Sequence, residues 1–389
     1  MRICIDITEM YKVDFVSGIQ RVVIEVTTRW IQDGKNLLLL VYDSKQNCFI
    51  EVDNNKYYEF YTKKSGSKDY LMDQNYMNIT DFGENDVFFD MDSVWMNPLK
   101  RSYLLPEIKK TGCKIAAHIY DIIPVTDAQY CHEFTTLSFL EYIGAQLENA
   151  DLIISNAQAT IDAIEELIRD TEISGINGVV VTLGSDIKPG DKSASVRDFV
   201  KKIPEKGKYV LMVGTMEPRK NHRYVLNAFE KVLFDQGINL VFAGRIGWNV
   251  DELIKDVKAH EKLGTQLFFE NGLSDGEITY LYEHCMLVAF PSFNEGFGLP
   301  IIEAFAKGAP VLAADIPVLK EVGGEYCKYF SLDDVNTFAD LVKNYIENPE
   351  VYKQDKEKIK SYRRYTWDEC AESMYDALCC FERKSEEYV

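Results

Sequence analysis

Apolar runs of four to seven residues alternate along this chain with longer stretches whose apolar positions recur every three or four residues. That is the pattern of parallel strands joined by helices. In the first half strands are expected at 2–7, 37–42, 86–89, 114–120, 152–155 and 178–183, with helices at 19–32, 134–148 and 157–169. The segment 47–81, rich in tyrosine and lysine, reads as hairpins or a loop insertion. From 185 to 208 the composition turns polar and carries Pro189, Gly190, Pro204 and Gly207, the mark of a connection between domains. The pattern then restarts, with strands at 209–214, 239–243, 266–269, 287–290 and 310–314 and helices at 223–234, 250–260, 275–284 and 332–346. A last helical pattern covers 367–381. The expectation is an α/β protein of two doubly wound domains, 1–190 and 209–365, with a linker at 191–208 and a closing segment at 366–389. In open sheets of this kind ligands bind beyond the carboxyl ends of the strands.

Composition narrows the partners. Forty-three basic against 62 acidic residues give a formal charge of −19, which argues against nucleic acid. The nine cysteines show no Cys-x-x-Cys spacing, and their odd number and wide scatter suit reduced thiols better than a disulfide framework or a zinc site. The opening MRICIDIT reads as a strand rather than a secretory signal, and no apolar run approaches the roughly 18 residues that would span a bilayer. A cytoplasmic protein is expected. The basic pairs Lys100-Arg101 and Lys109-Lys110 leave contact with the inner face of a membrane open.

The densest chemistry lies at 291–308, PSFNEGFGLPIIEAFAKG, where Glu295 and Glu303 stand eight positions apart. Gly296, Gly298 and Pro300 forbid one helix across both carboxylates. The spacing predicts a strand, an irregular loop carrying Glu295, and a helix from about Pro300 with Glu303 in its first turn and Gly308 just past its end. The N–H groups of Phe297 to Leu299 then face a positive helix end, an anion site. Two carboxylates above such an end suit a ligand with both hydroxyls and phosphates, and a nucleotide-sugar is that kind of ligand. A second cluster, Gly214-Thr215-Met216-Glu217-Pro218-Arg219-Lys220-Asn221, follows a strand and precedes a helix that Asn221 could cap. It sets two cations where the helix end adds partial positive charge.

Glu295-Gly296-Phe297-Gly298-Leu299-Pro300 with Glu303 resembles the signature of the retaining GT-B glycosyltransferases of family four, the glycosyl transferases group 1. The resemblance is tight over 209–380 and loose over 1–190, and its style is that of bacterial polysaccharide mannosyl- and rhamnosyltransferases. It implies two Rossmann-like domains facing each other across a cleft, with the last helix crossing back to the first. By resemblance, Glu295 holds the donor sugar's hydroxyls and Glu303 the ribose hydroxyls. The amides of Gly296, Phe297, Gly298 and Leu299 contact sugar and phosphate. The Gly214 loop, through Arg219 and Lys220, carries the diphosphate, and backbone groups around Leu273 read the base. The substrates implied are a nucleotide-diphosphate sugar, GDP-mannose first, and a glycan or lipid-linked acceptor. No metal or other cofactor is expected, since Arg219 and Lys220 neutralise the leaving group.

In the first domain the family places a glycine where Gly18 stands, and Asp121 at the cleft face near the transferred sugar. Many relatives carry a histidine just before that aspartate; this chain has Tyr120 there and His118 two residues earlier, on the same side of a strand. A core histidine is the plainer reading of His118. Asp90-Met91-Asp92 imitates a metal motif but reads as a strand end. Two other functions fit the same architecture: a nucleotide-sugar epimerase, which would need an acid and a base not identified here, and a non-catalytic nucleotide-sugar-binding protein.

Overall fold

The computed structural model describes residues 1–13, 16–63, 67–173, 175–186 and 196–381, the side chain of residue 74 aside. Of the expected linker, 191–195 lie outside the described residues, as do 382–389 of the closing segment. The chain divides into two compact units, Met1–Gly184 with Tyr365–Val389, and Ser185–Arg364.

The first unit is built on eight strands: β1 (Arg2–Asp6), β2 (Leu37–Asp43), β3 (Cys48–Val52), β4 (Met72–Met77), β5 (Asp86–Asp90), β6 (Lys114–His118), β7 (Leu152–Ser155) and β8 (Gly178–Val180). Their order is β4-β3-β2-β1-β5-β6-β7-β8. β1 pairs in parallel with both β2 and β5, so the connections leave this central pair in opposite directions. The segment expected as hairpins or an insertion is instead a strand, the helix Asn54–Lys63 and a second strand, which extend the sheet edge antiparallel. Tyr57, the one side chain this helix buries, docks it by meeting the Thr27 hydroxyl at 3.0 Å.

A helix not foreseen, Arg101–Lys110, contains Pro106, which masks its period in the sequence. It is anchored by charge as well as by Leu104, Leu105 and Ile108. Arg101 is 1% exposed and holds Asp90 through two bonds of 2.7 Å and Asp6 through one of 2.8 Å. Asp90 therefore ends its strand as a structural anion. Asp92 accepts the Met10 amide at 2.7 Å and is likewise fully buried, which pushes its carboxyl up to about 7.

The unit is completed from the far end of the chain. The helix Trp367–Leu378, opened by a Thr366–Glu369 capping box, packs on the helix Gly18–Gln32. Trp30 donates its indole N–H to the Ala371 carbonyl at 2.9 Å, and Arg29 pairs with Asp368. Gly184 lies under Trp367: a Cβ there would come within 2.5 Å of the Trp367 amide nitrogen.

The second unit is a six-stranded parallel sheet of β9 (Tyr209–Val213), β10 (Asn239–Ala243), β11 (Leu267–Glu270), β12 (Leu287–Phe290), β13 (Val311–Ala314) and β14 (Cys327–Phe330), in the order β11-β10-β9-β12-β13-β14. Val210 faces Leu240 on one side and Leu287 on the other. The described part of the expected linker, 196–208, contains a helix, Asp198–Glu205, which buries Val200 and Ile203. These apolar positions three apart suffice to dock it despite its polar composition. The helix expected at 223–234 is His222–Ala228 followed by a π-helical turn, Phe229–Leu233. β14 and the helix Pro349–Ile359 were not anticipated, the first because only four residues carry it and the second because it buries Ile359 alone.

Candidate functional site

β9 and β12 are neighbours, yet the chain leaves β9 toward β10 and β12 toward β13 on the other side. Two adjacent strands whose connections diverge open a crevice at their carboxyl ends. The loops that follow them are those carrying Arg219 with Lys220 and Glu295.

The β9 loop is shaped by close backbone approach. Gly214 has φ 140°, and a Cβ on Gly244, which follows β10, would lie 1.8 Å from the Gly214 carbonyl oxygen. Met216 donates its amide to Arg245 O at 2.7 Å, and Gly247 donates to Met216 O at 2.9 Å. Pro218–Lys220 then form a 3-10 turn. Asn221 does not cap the next helix with its side chain as expected; its backbone is left-handed at φ 55°, and its carbonyl accepts the Tyr224 amide at 3.1 Å instead.

The two loops are stitched together. Phe293 donates its amide to Arg219 O at 2.9 Å, and Arg219 Nη1 donates to Asn294 O at 2.6 Å. Glu295 faces both cations, 2.7 Å from Arg219 Nη1 and 2.5 Å from Lys220 Nζ. Arg219 Nη2 meets the Glu217 carboxylate at 2.5 Å. Burial alone would raise the Glu295 carboxyl, but the facing charges of Arg219 and Lys220 outweigh it and hold the group at about 2. At Glu217 burial prevails over the same two cations, and its carboxyl is raised above the ordinary range. Lys220 also lies 5.1 Å from the centre of the Phe290 ring.

Beyond Glu295, residues 296–298 turn the chain into the helix Leu299–Ala306. Gly298 occupies its N-cap at φ 104°, a conformation that L side chains rarely adopt. Since the helix begins one residue before Pro300, Glu303 is its fifth residue and lies beyond the first turn, where it had been expected. It is 9% exposed and accepts the Tyr282 hydroxyl at 3.0 Å, from the helix Asp275–His284. Leu273 precedes that same helix, whose N-cap is Ser274 in a capping box with Glu277. Arg197 grips the Glu277 carboxylate at 2.5 and 2.8 Å and donates to Gly272 O at 3.0 Å, which ties down the 271–273 loop. The Arg197 hydrogen bond holds Glu277 down at about 2.

Gly18 and Asp121 belong to the first unit. Gly18 opens its helix behind Ser17, whose side chain makes a capping box with Gln20. Asp121 accepts the Ile123 amide at 3.0 Å. His118 is 1% exposed, and its ring stacks on Tyr120 with centroids 4.1 Å apart. Burial lowers the imidazole to about 3, with Asn156 acting in the opposite sense, so it is neutral at physiological pH. The Tyr120 hydroxyl donates to Met91 O at 2.8 Å.

The structure thus joins Gly214, Arg219, Lys220, Glu295 and Gly296 in one crevice, and leads through Phe297 and Gly298 into the helix of Leu299 and Glu303. Sequence reasoning missed Glu217, Asn294, Tyr282 and the Arg197–Glu277 pair. Glu217 had a signal, standing two residues before Arg219 in the same loop, but the loop was read only for its cations. Tyr282 and Arg197 had none, because each acts across a long sequence separation.

Residues 195–362 match the model of the glycosyl transferases group 1 family. The serotype-specific mannosyltransferase WbdA of Escherichia coli is 27% identical over 97% of this chain and 46% of its own length. The O-antigen chain mannosyltransferase RfbU of Salmonella typhimurium is 31% identical over 44% of this chain and 47% of its own. The chain therefore spans about half the length of these curated relatives. Among solved structures, Anabaena HepE in complex with UDP-glucose superimposes with a TM-score of 0.66 at 14% identity, covering 98% of this chain and all of that one. Sucrose-phosphate synthase of Thermosynechococcus elongatus gives 0.66 at 16% identity over 99% of this chain and 100% of the other. Both are likenesses of fold, the GT-B arrangement of mixed α/β units with parallel sheets.

Proposed function

We propose that this chain, whose residues 195–362 form a glycosyl transferases group 1 domain, transfers a sugar from a nucleotide-diphosphate sugar to a glycan or lipid-linked acceptor with retention of the anomeric configuration. The observation that carries the reading is the crevice between the β9 and β12 loops. It sets two cations against a carboxylate of strongly depressed pKa, beside a helix N-terminus and a second buried carboxylate. Mannose is the sugar favoured, because the curated relatives WbdA and RfbU are mannosyltransferases.

In this reading Arg219 and Lys220 receive the donor's diphosphate. They stabilise the charge that accumulates on it as the bond to the sugar breaks, where an interaction that strengthens in the transition state lowers the barrier. Glu295, released from the two cations by the phosphates, accepts hydrogen bonds from the sugar's hydroxyls. Glu303, held by Tyr282, accepts those of the ribose. The loop at 271–273, fixed by Arg197, lines the base. The acceptor hydroxyl gives its proton to the departing phosphate oxygen and attacks from the same face of the sugar. Arg219 and Lys220 supply the charge that a divalent ion would bring, so the reaction proceeds without one. Proton NMR of the isolated product tests the reading. An α-linked donor should give an α-linked product, and an inverted anomer would overturn the mechanism while leaving the fold intact.

A further inference from the structure

We propose that Glu217 is a proton acceptor built into the diphosphate site, and that it takes up one proton from solvent when the donor binds. The proposal rests on the reading of Arg219 and Lys220 as the diphosphate cradle and adds to it a role for a residue that reading leaves idle.

The argument begins with charge. Glu217, Arg219, Glu295 and Lys220 are linked in that order by three ion pairs and their charges sum to zero. Their side chains are 16%, 15%, 6% and 6% exposed, so solvent screens the cluster weakly. A nucleotide-sugar brings a diphosphate with two fixed negative charges and no titrating proton near neutrality. If nothing else changed, two cations would face four anionic charges in a largely buried space. An uncompensated buried charge is expensive enough that a group protonates rather than bear it.

The geometry selects which group. Glu295 has two cation partners and a second role awaiting it, at the sugar's hydroxyls. Glu217 has a single close one, Arg219 Nη2 at 2.5 Å, and that guanidinium is the group the phosphates draw away. Once Arg219 turns to phosphate, Glu217 is left 5% exposed without its cation. The remaining surroundings cannot replace it. Lys220 shares the loop but is engaged at Glu295 and would be engaged at phosphate, and Glu295 repels it. His222, at the start of the following helix, is buried and held neutral, its imidazole lowered to about 3 by burial and by Lys220. Arg245, on the adjoining β10 loop, is exposed to solvent. The raised Glu217 carboxyl in the free protein points the same way. Protonation forms an O–H bond on a carboxylate oxygen and removes one negative charge, and the neutral acid can then donate to a phosphate oxygen.

The sign follows from linkage: a ligand that raises a carboxyl's pKa binds more tightly as pH falls. Calorimetric titration with GDP-mannose and with UDP-glucose, in two buffers of different ionisation enthalpy, counts the protons taken up. Near pH 7 the wild-type protein should take up close to one proton per nucleotide-sugar bound. Its affinity should fall with rising pH, up to tenfold per unit at full linkage. Glu217→Gln should bind with no uptake and an affinity flat between pH 6 and 8, and Glu217→Asp should restore uptake. Binding by the wild-type protein without proton uptake overturns the proposal, and needs no variant to fold. Unchanged uptake in Glu217→Gln overturns the assignment to this residue. A wild-type protein that binds neither nucleotide-sugar overturns the donor-site reading, and the proposal with it.

Discussion

Glu295 neutralises the two cations that the diphosphate would need, so removing its charge should act in opposite directions on stability and on nucleotide affinity. Glu295→Gln keeps the shape of the side chain and takes away the anion. The carboxyl is held at about 2 against a usual value of 4.5. A difference of that size, at 1.36 kcal/mol per unit, is worth about 3 kcal/mol. Breaking a buried ion pair from one side costs about 3–5 kcal/mol, which agrees. Because the folded-state pKa is depressed, the contribution is complete above the unfolded value and disappears as pH falls through the folded one. The variant should therefore lose about 3 kcal/mol at pH 7, and the deficit should shrink between pH 4.5 and 2. By contrast, Lys220 loses its carboxylate partner and Arg219 keeps only Glu217, so bare GDP or UDP should bind about tenfold more tightly, a change of about 1.4 kcal/mol. The nucleotide-sugar should gain less, since the contact to the sugar's hydroxyls is weakened. Urea melts at several pH values measure the first effect, and calorimetry with nucleotide and nucleotide-sugar the second. A variant as stable as the parent at pH 7, or one that binds bare nucleotide more weakly, would refute the inference that Glu295 occupies the diphosphate's cations in the free protein.

Two further expectations come from the same geometry. Glu303→Gln should weaken bare nucleotide and nucleotide-sugar alike, by roughly 1.5 to 3 kcal/mol for a lost charge-assisted hydrogen bond; a loss confined to the nucleotide-sugar, read by the same calorimetry, would contradict its ribose role. Excess EDTA should leave the transfer rate within about twofold, because two side chains supply the countercharge; a rate that collapses and returns with magnesium or manganese would remove Arg219 and Lys220 from that role.

The sequence exposed most of what repeats locally. The buried parallel strands, the breaks at Gly296, Gly298 and Pro300, and the placing of Arg219, Lys220 and Glu295 at strand ends are short-range signals, written within a few residues of each position. What stayed hidden is non-local. Arg101 looks like a surface basic residue until the fold brings Asp6 and Asp90 against it. The helix Asp198–Glu205 has the composition of a linker, and only the helix Asp275–His284 packed against it makes two apolar residues enough. Asn221 is a common N-cap type, yet its left-handed backbone rules out that use. Glu217 was visible as a residue but not as a partner, because a dipeptide of cations draws attention from the anion that neutralises one of them.

The return of the last helix has a consequence for how the molecule comes into being. Trp30 and Ala371, which share a hydrogen bond, are 341 positions apart. At about 5–20 residues per second of synthesis, the helix Gly18–Gln32 waits roughly 20 to 70 seconds for its cover. The second unit, whose residues Ser185–Arg364 are contiguous, emerges whole within that interval and can form while its elder neighbour is still unfinished. Until Trp367–Leu378 arrives, Trp30 and the slot above Gly184 stand open to water. The unit begun before Ser185–Arg364 is thus completed only after it, and a chain interrupted in between would present that bare apolar strip to chaperones and proteases.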